Sequence, residues 1–529
     1  MKEEADRMAH TIALVIALVL VLFPTSMHAQ IKWFKYEGNP VFNVGPAGSW
    51  DGVTVHADRV IFTDSVYQMW YMGFDGATAG RIGRATSRDG ITWTKDTRNP
   101  IVREGAPGSW ESKGSVHPYV LLHGSTYRMW YMGVNDGFNY RLGTATSPDG
   151  VVWTKDSLNP ILGPGSWYSV GPTFPTILPG FSDELHMWFA GENAGHYLQI
   201  GYASGRYPGV EWTAHPNPVV TVGAPGSWDD RNVFGPRVLF DGESGSYQMW
   251  YGGERSDFKS HFGYATSTDG IIWTKDPANP VFPRGTASWE SNDIAFPEVL
   301  FDGKLYHMWY SGNDGSNWRV GYAVSPKDME VAILPERDTI DRSRDTVQAS
   351  VRVRDPAGLE FAAIFRSPSG GNVDTLQLFD DGVHEDGLIG DGLFANRWIP
   401  GDRNTYDVTL QLIFHDTLRF SEAKSSARFA VTALSDQAAS APLEYSLDQN
   451  YPNPFNPTTV VSSQLPVTSD VRLVVYDVLG REMAILVNER RAAGTYKDSF
   501  DASGLASGIY LYRLTAGSFV RTRKMILVR

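Results

Sequence analysis

The sequence contains no cysteine, which excludes disulfide staples and thiolate metal sites and leaves stability to packed cores. It is also short of positive charge: 46 Lys and Arg stand against 59 Asp and Glu, for a formal charge of −13. Phosphate binding draws its affinity from clustered basic side chains, and no such cluster occurs, so a nucleic-acid partner is excluded. Long apolar runs are scarce. Residues 11–23 form an unbroken 13-residue stretch, too short to span a bilayer, and no later segment is predicted to cross a membrane. With Pro24-Thr25-Ser26 and the small residue Ala29 behind it, that stretch predicts a signal peptide over residues 1–29. The segment ahead of it is acidic for such a leader (Glu3, Glu4 and Asp6 against Lys2 and Arg7), so translation starts at Met1 or Met8.

Turn formers and aromatics are abundant. Aromatics make up 13% of the 529 residues, with 53 Gly and 31 Pro, a composition of short strands and tight turns in two to four domains. A unit of about 60 residues recurs five times. Trp50, Trp110, Trp167, Trp228 and Trp289 close Ser-Trp turns; Trp70, Trp130, Trp188, Trp250 and Trp309 sit in Met-Trp-aromatic runs; Trp33, Trp93, Trp153, Trp212 and Trp273 form a third series. Within a unit, alternating runs such as Tyr67-Gln68-Met69-Trp70-Tyr71 and Ile82-Gly83-Arg84-Ala85-Thr86 are bounded by Asp-Gly turns, as at Asp89-Gly90. This is the pattern of a four-stranded antiparallel meander. One such sheet cannot bury both faces, so the units stack radially, and the expectation is a five-bladed β-propeller over residues 30–330. The fifth copy ends at Ser325 without a Trp-Thr-Lys strand, whereas Trp33-Phe34-Lys35 supplies one at the other end of the chain. The first strand is therefore expected to complete the last blade. The repeated tryptophans are assigned to packing, and function is expected where the copies differ.

Residues 331–435 alternate differently, as in Val347-Gln348-Ala349-Ser350-Val351-Arg352-Val353, and predict an immunoglobulin-like β-sandwich. Inside it, Asp380-Asp381-Gly382, Glu385-Asp386-Gly387 and Asp391-Gly392 form an acidic run. Asp381, Asp386 and Asp391 are candidate calcium ligands, although Asp-Gly pairs also make turns unaided. No other cofactor is required. An Ala- and Ser-rich linker at 436–449 leads to Asn450-Tyr451-Pro452-Asn453-Pro454-Phe455-Asn456-Pro457, then Val471-Arg472-Leu473-Val474-Val475-Tyr476-Asp477 and Gly508-Ile509-Tyr510-Leu511-Tyr512. Residues 450–529 thus resemble the type A C-terminal sorting domain of the type IX secretion system. The resemblance implies handling by that machinery and an extracellular or outer cell-surface location. The fold class expected overall is all-β, a five-bladed propeller followed by two small immunoglobulin-like sandwiches.

Counted from the first Trp of each unit, the inner strands align without gaps, and four carry Pro at the eighth position: Pro118, Pro175, Pro236 and Pro297. The first copy has Asp58 there. Around it the inner strands offer His56, His117, Arg231, Arg237, Asp293 and Glu298, and the following loops add Glu192, Glu254 and Trp318. Carboxylates, bases and an aromatic face converging on a channel mouth suit a sugar, with water activated by one acid and the leaving oxygen protonated by another. Asp58 and Glu298 are the acid–base candidates, with Asp293 as modulator; His56, His117, Arg231, Arg237, Glu192, Glu254 and Trp318 are the substrate-binding candidates. The repeat, with Ser87-x-Asp89-Gly90-x-x-Trp93 and Ser147-x-Asp149-Gly150-x-x-Trp153, resembles the propellers of glycoside hydrolase families 43, 32 and 130. The resemblance implies a glycosidase of poly- or oligosaccharide. The places where family 43 carries its acids read Ala57-Asp58, His117-Pro118 and Thr173-Phe174-Pro175 here. A non-catalytic carbohydrate-binding or scaffold propeller that lost those acids is the alternative.

Overall fold

The computed structural model describes residues 31–334, 339–341, 346–367, 373–384, 386, 388–399, 405–414, 417–424, 427–432, 445–517 and 519–528. The predicted signal segment and most of the predicted linker lie outside them. The described chain is all-β of the propeller type, and one 3-10 turn at Ser288–Glu290 is its only helical element among those residues. Two compact units divide it, residues 1–431 and 432–529.

In the first unit each repeat folds as a four-stranded antiparallel meander. The second repeat is representative: Gly114–His123, Thr126–Val134, Tyr140–Ser147 and Thr154–Lys155 pair in chain order. Its turn into the outermost strand shows why the sequence carries Ser-x-Asp-Gly. Asp149 Oδ1 accepts the amides of Val151 and Val152 at 2.9 and 2.8 Å, and Gly150 takes φ +73°, a left-handed conformation that only glycine adopts freely. The Trp of each Met-Trp-aromatic run is fully buried and reaches into the neighbouring repeat. Trp70 donates its indole N–H to Gly150 O at 2.9 Å, Trp130 to Gly209 O at 3.0 Å and Trp188 to Gly270 O at 2.8 Å.

The N-terminal strand Phe34–Tyr36 pairs antiparallel with Trp318–Pro326, Phe34 opposite Val324, and so supplies the outer strand of the last repeat. An ion pair makes the equivalence explicit. Lys95, Lys155 and Lys275 each bind the acid that follows the first Trp of their repeat: Asp51 at 2.6 Å, Glu111 at 2.7 Å and Asp229 at 2.6 Å. In the last repeat Lys35 plays this part for Glu290, at 3.0 Å. The third repeat has lost both partners together, with Tyr168 in the acid's place and Ala214 in the lysine's.

The sealing strand does not end as an open edge. Its other side pairs with Leu418–Glu422 of the following module, Phe34 opposite Glu422 and Tyr36 opposite Phe420. Lys32 adds an ion pair to Glu422 at 2.8 Å. That module has two antiparallel sheets, one built of Glu330–Leu334, Val347–Arg352 and Leu393–Trp398, the other around Leu359–Arg366 and Thr405–Phe414. Between them lie buried Phe361, Phe365, Trp398 and Tyr406, with Phe365 and Trp398 stacked at 4.1 Å.

The second unit contains a three-stranded sheet centred on Thr458–Leu465 and a four-stranded sheet of Glu482–Arg491, Ser469–Tyr476, Gly508–Ala516 and Phe519–Leu527. Leu473, Val475, Tyr512, Leu514 and Met525 form its core. The Asn450-Tyr451-Pro452 segment is fixed by Asn450, whose amide side chain donates to Pro452 O and Thr459 Oγ1 at 3.1 and 3.0 Å.

Candidate functional site

The inner strands carry an irregularity just where the copies differ. Between Val116 and Tyr119, Thr173 and Thr176, Phe234 and Arg237, and Ala295 and Glu298, the ladder skips two residues. The first skipped residue has positive φ: His117 at 49°, Phe174 at 52°, Gly235 at 55° and Phe296 at 56°. The second is proline, which has no N–H to lose in a bulge. In the first repeat the skip is Asp58 alone, between Ala57 and Arg59.

The bulges bring aromatic rings together. His117 lies 4.4 Å from Phe174 and 5.1 Å from Phe296, centroid to centroid, and Phe174 and Phe296 are 4.6 Å apart. His56 stands 4.7 Å from Phe296 and 5.2 Å from Trp318. Phe234 and Leu198 join the same apolar cluster. Phe174, Phe296 and Trp318 remain partly exposed, so the cluster presents an aromatic floor. Burial, with the neighbouring His117, holds His56 well below the ordinary histidine range. Its Nδ1 lies 2.8 Å from Ser311 Oγ, a link between the last and first repeats.

Asp58 is buried. Its Oδ1 lies 2.7 Å from His117 Nδ1 and its Oδ2 accepts the Met72 amide at 2.8 Å. The void beside it, lined by Asp58, His117, Phe174, Gly235, Arg237 and Phe296, has a volume of about 20 Å³, room for about one water and far too little for a sugar ring. Glu298 is 0% exposed. Its Oε1 accepts the Val60 amide at 2.8 Å and pairs with Arg59 at 3.2 Å, while Oε2 contacts Arg237. Burial raises the Glu298 carboxyl although Arg237 and Arg59 pull the other way. Both arginines also lie over the Tyr119 ring, at 4.4 and 5.0 Å. The ninth positions of the five inner strands thus form one tier: an acid between two guanidinium groups that lie over a tyrosine, with Thr176 Oγ1 accepting from Arg237 at 3.1 Å.

The other candidates gather where the inner strands begin. Arg231 binds Glu254 at 2.9 Å and lies 4.1 Å over Phe258 and 6.0 Å from Tyr197. Asn232 donates to the same Glu254 carboxylate. Glu192 is held 2.6 Å from His196 Nδ1. Asp293 is partly exposed, and its Oδ1 accepts the amides of Ser260 and Ile294, both at 2.9 Å. Asn232 accepts the Leu198 amide in the same way at 2.8 Å, so in the fourth and fifth repeats this position ties the sheet to the one before it. Burial pushes the Asp293 carboxyl up and the charge of Glu254 adds to this, against the bonds from Ser260 and Ile294.

The structure therefore brings His56, His117, Trp318 and Asp58 together at the axis, Arg237 and Glu298 one tier deeper, and Arg231, Glu254, Asp293 and Glu192 on the surrounding rim. Phe174, Phe234 and Phe296 escaped the sequence reading. The signal for Phe174 and Phe296 was the seventh position of the alignment, which reads Ala57, His117, Phe174, Gly235 and Phe296 and varies as freely as the eighth is constant; Phe234 stands one place earlier. The calcium candidates make turns: Asp386 accepts the Gly382 amide at 2.8 Å, Asp381 lies 3.0 Å from His384 Nδ1, and Asp391 accepts the Leu393 amide at 3.0 Å. Among the described residues no group of three or more His, Asp or Glu is arranged to hold a metal ion.

Residues 449–528 match the family described as a secretion system C-terminal sorting domain. The chain is therefore marked for export. The sorting domain indicates a destination at the cell surface or in the extracellular space, as the Tyr-Pro-Asn-Pro-Phe-Asn-Pro run predicts. An uncharacterized protein of Mycobacterium tuberculosis strain H37Rv is 25% identical over 300 residues, 53% of this chain and 95% of its own length. Among solved structures, the chain is similar to a β-1,2-mannobiose phosphorylase from Listeria innocua, at 16% identity and a TM-score of 0.46 over 55% of this chain and 96% of the other. A thermostable family-43 glycoside hydrolase is similar at 15% identity and a TM-score of 0.41, over 56% and 94%.

Proposed function

We propose that this exported protein is a five-bladed propeller that binds oligo- or polysaccharide on the face where its inner strands begin, and that the module behind it is immunoglobulin-like. The observation that carries the reading is the aromatic floor. Phe174, Phe296 and Trp318 offer partly exposed rings on one side, and Arg231, Glu254 and Asp293 offer hydrogen-bonding groups beside them. Apolar faces with a few convergent polar groups are what a sugar ring requires. Export supports a glycan partner, because the protein works outside the cell. On this reading Asp58 and Glu298 are not acid and base. Both are buried and spent on His117, Arg59 and Arg237, and their placement supports a role in holding the ring.

One observation favours a hydrolytic reading. Asp293 is a partly exposed carboxyl that burial, with Glu254 adding to it, pushes above the ordinary carboxylate range, a direction suited to proton donation. One experiment separates the two: the full chain is passed over immobilised xylan, mannan, arabinan and glucan, and each eluate is assayed for new reducing ends. Retention without cleavage supports binding. Cleavage lost in Asp293→Asn supports hydrolysis, and neither retention nor cleavage overturns both.

A further inference from the structure

The loops joining the second and third strands of each repeat lie on the same face as the floor. In the first and last repeats these loops place glycine at positive φ, Gly76 at 84° and Gly315 at 96°. In the three middle repeats the residue at the left-handed position is not glycine. It is Phe138 at φ 54°, His196 at 59° and Phe258 at 62°. Each donates its amide back to the residue three before it, so the backbone demand is the same in all three: Phe138 to Asn135 O, His196 to Asn193 O, Phe258 to Arg255 O. Glycine or asparagine meets that demand with little strain, whereas a bulky side chain there is strained.

In the second and fourth repeats the strained residue itself turns a ring outward; in the third the strained His196 sits 2.6 Å from Glu192 and the next residue, Tyr197, supplies the ring. Phe138 is 64% exposed and Phe258 60% exposed, and Tyr197, next to His196, is 51% exposed. None of the three rings is needed by a core. Arg231 connects two of them, its guanidinium 4.1 Å from Phe258 and 6.0 Å from Tyr197. Strain borne by the exposed Phe138 and Phe258 on this face points to a ligand they meet. Single-stranded nucleic acid also stacks on such rings, but the net charge of −13 excludes it.

We propose that Phe138, Tyr197 and Phe258 form a rim track that carries a polysaccharide chain across the three middle repeats, so that the protein takes polymers in preference to short sugars. The proposal rests on the glycan reading of the floor and extends it. Rings interleaved with Arg231 and the loop polar groups fit a chain of neutral pyranoses, with one face apolar and the edges bearing hydroxyls.

The test uses the full chain, with xylan, mannan, arabinan and glucan and the disaccharide of each as probes. Phe138→Gly and Phe258→Gly, singly and together, remove the rings while supplying the residue the backbone prefers. The expected result is a double variant whose thermal midpoint is unchanged or raised and whose affinity for the retained polymer falls about tenfold or more. Its affinity for the disaccharide stays that of the parent. Equal polymer affinity in parent and double variant overturns the track, as does an equal loss for polymer and disaccharide, or a fall in the thermal midpoint that accounts for the loss. Trp318→Ala distinguishes this from failure of the floor: if no probe of any length depends on Trp318, the glycan reading itself has failed.

Discussion

Trp309 donates its indole N–H to the carbonyl of Gly90, 2.7 Å away and 219 residues earlier in the chain. The bond repeats what Trp70, Trp130 and Trp188 do toward the next repeat along the chain, but it runs from the last repeat back to the first. Trp250 alone of the series has no acceptor for its N–H. The repeat it faces has no Asp-Gly turn leading into an outermost strand, and Trp33 stands there instead, edge-on at 6.2 Å. The ring is thus closed by side chains at one junction and by the N-terminal strand at the other.

The first prediction concerns that strand. Lys35→Met strands the nearly buried Glu290 without its cation, which should cost about 3–5 kcal/mol in denaturant unfolding. Adding Glu290→Tyr and making the first change Lys35→Ala copies the third repeat, where Tyr168 and Ala214 stand at these places. The double variant should recover most of the loss. A double-mutant cycle with no coupling would show that the pair does not hold the junction.

Glu298→Gln leaves two guanidinium groups facing a neutral amide in a fully buried site. Stability should fall by a few kcal/mol, about 3–5 by analogy with other broken buried pairs. Glycan retention per folded molecule should not change. Loss of retention at unchanged stability would return Glu298 to the binding or catalytic machinery.

Part of the acid sensitivity should be traceable to His261. Burial, with Arg284 and Arg255 nearby, depresses it to about 4, and its Nδ1 accepts the Arg284 amide at 3.0 Å. A base whose folded pKa is depressed stabilises the fold in its neutral form, so its contribution is present above about 6.5 and is lost as pH falls toward about 4. His261→Asn should flatten the stability profile in that window. An unaltered profile would put the acid sensitivity elsewhere.

Asp58→Ala removes the partner of His117 and of the Met72 amide in a buried setting. The expected loss is about 1–3 kcal/mol by thermal or chemical unfolding. An unchanged midpoint would mean that Asp58 is not part of the frame and is free to act on a ligand.

Much of the architecture was legible because it is repeated. Fifteen tryptophans in three series stepping by about 60 residues, and Lys35 standing where Lys95, Lys155 and Lys275 stand, specify the sheets and the closing strand by pattern alone. The paired loss at Tyr168 and Ala214 was legible in the same way. The pairing of Phe34 with Glu422 was not, because an edge-to-edge contact across the chain leaves no periodic trace in either segment. The site was legible only as a neighbourhood. That Glu298 is locked and Asp293 open depends on Arg59 and Arg237, which arrive from two other repeats, and a carboxylate's role follows its surroundings rather than its position in a strand. The rim phenylalanines look like ordinary loop residues until their φ values are known.

The most direct measurement is calorimetric titration of the full chain and of Trp318→Ala with whichever immobilised glycan retains the parent, with circular dichroism verifying that both are folded. The account predicts measurable heat for the parent and at least about a tenfold weaker interaction for Trp318→Ala at an unchanged fold. Equal binding by the two proteins, or a parent that binds none of the glycans, would contradict it.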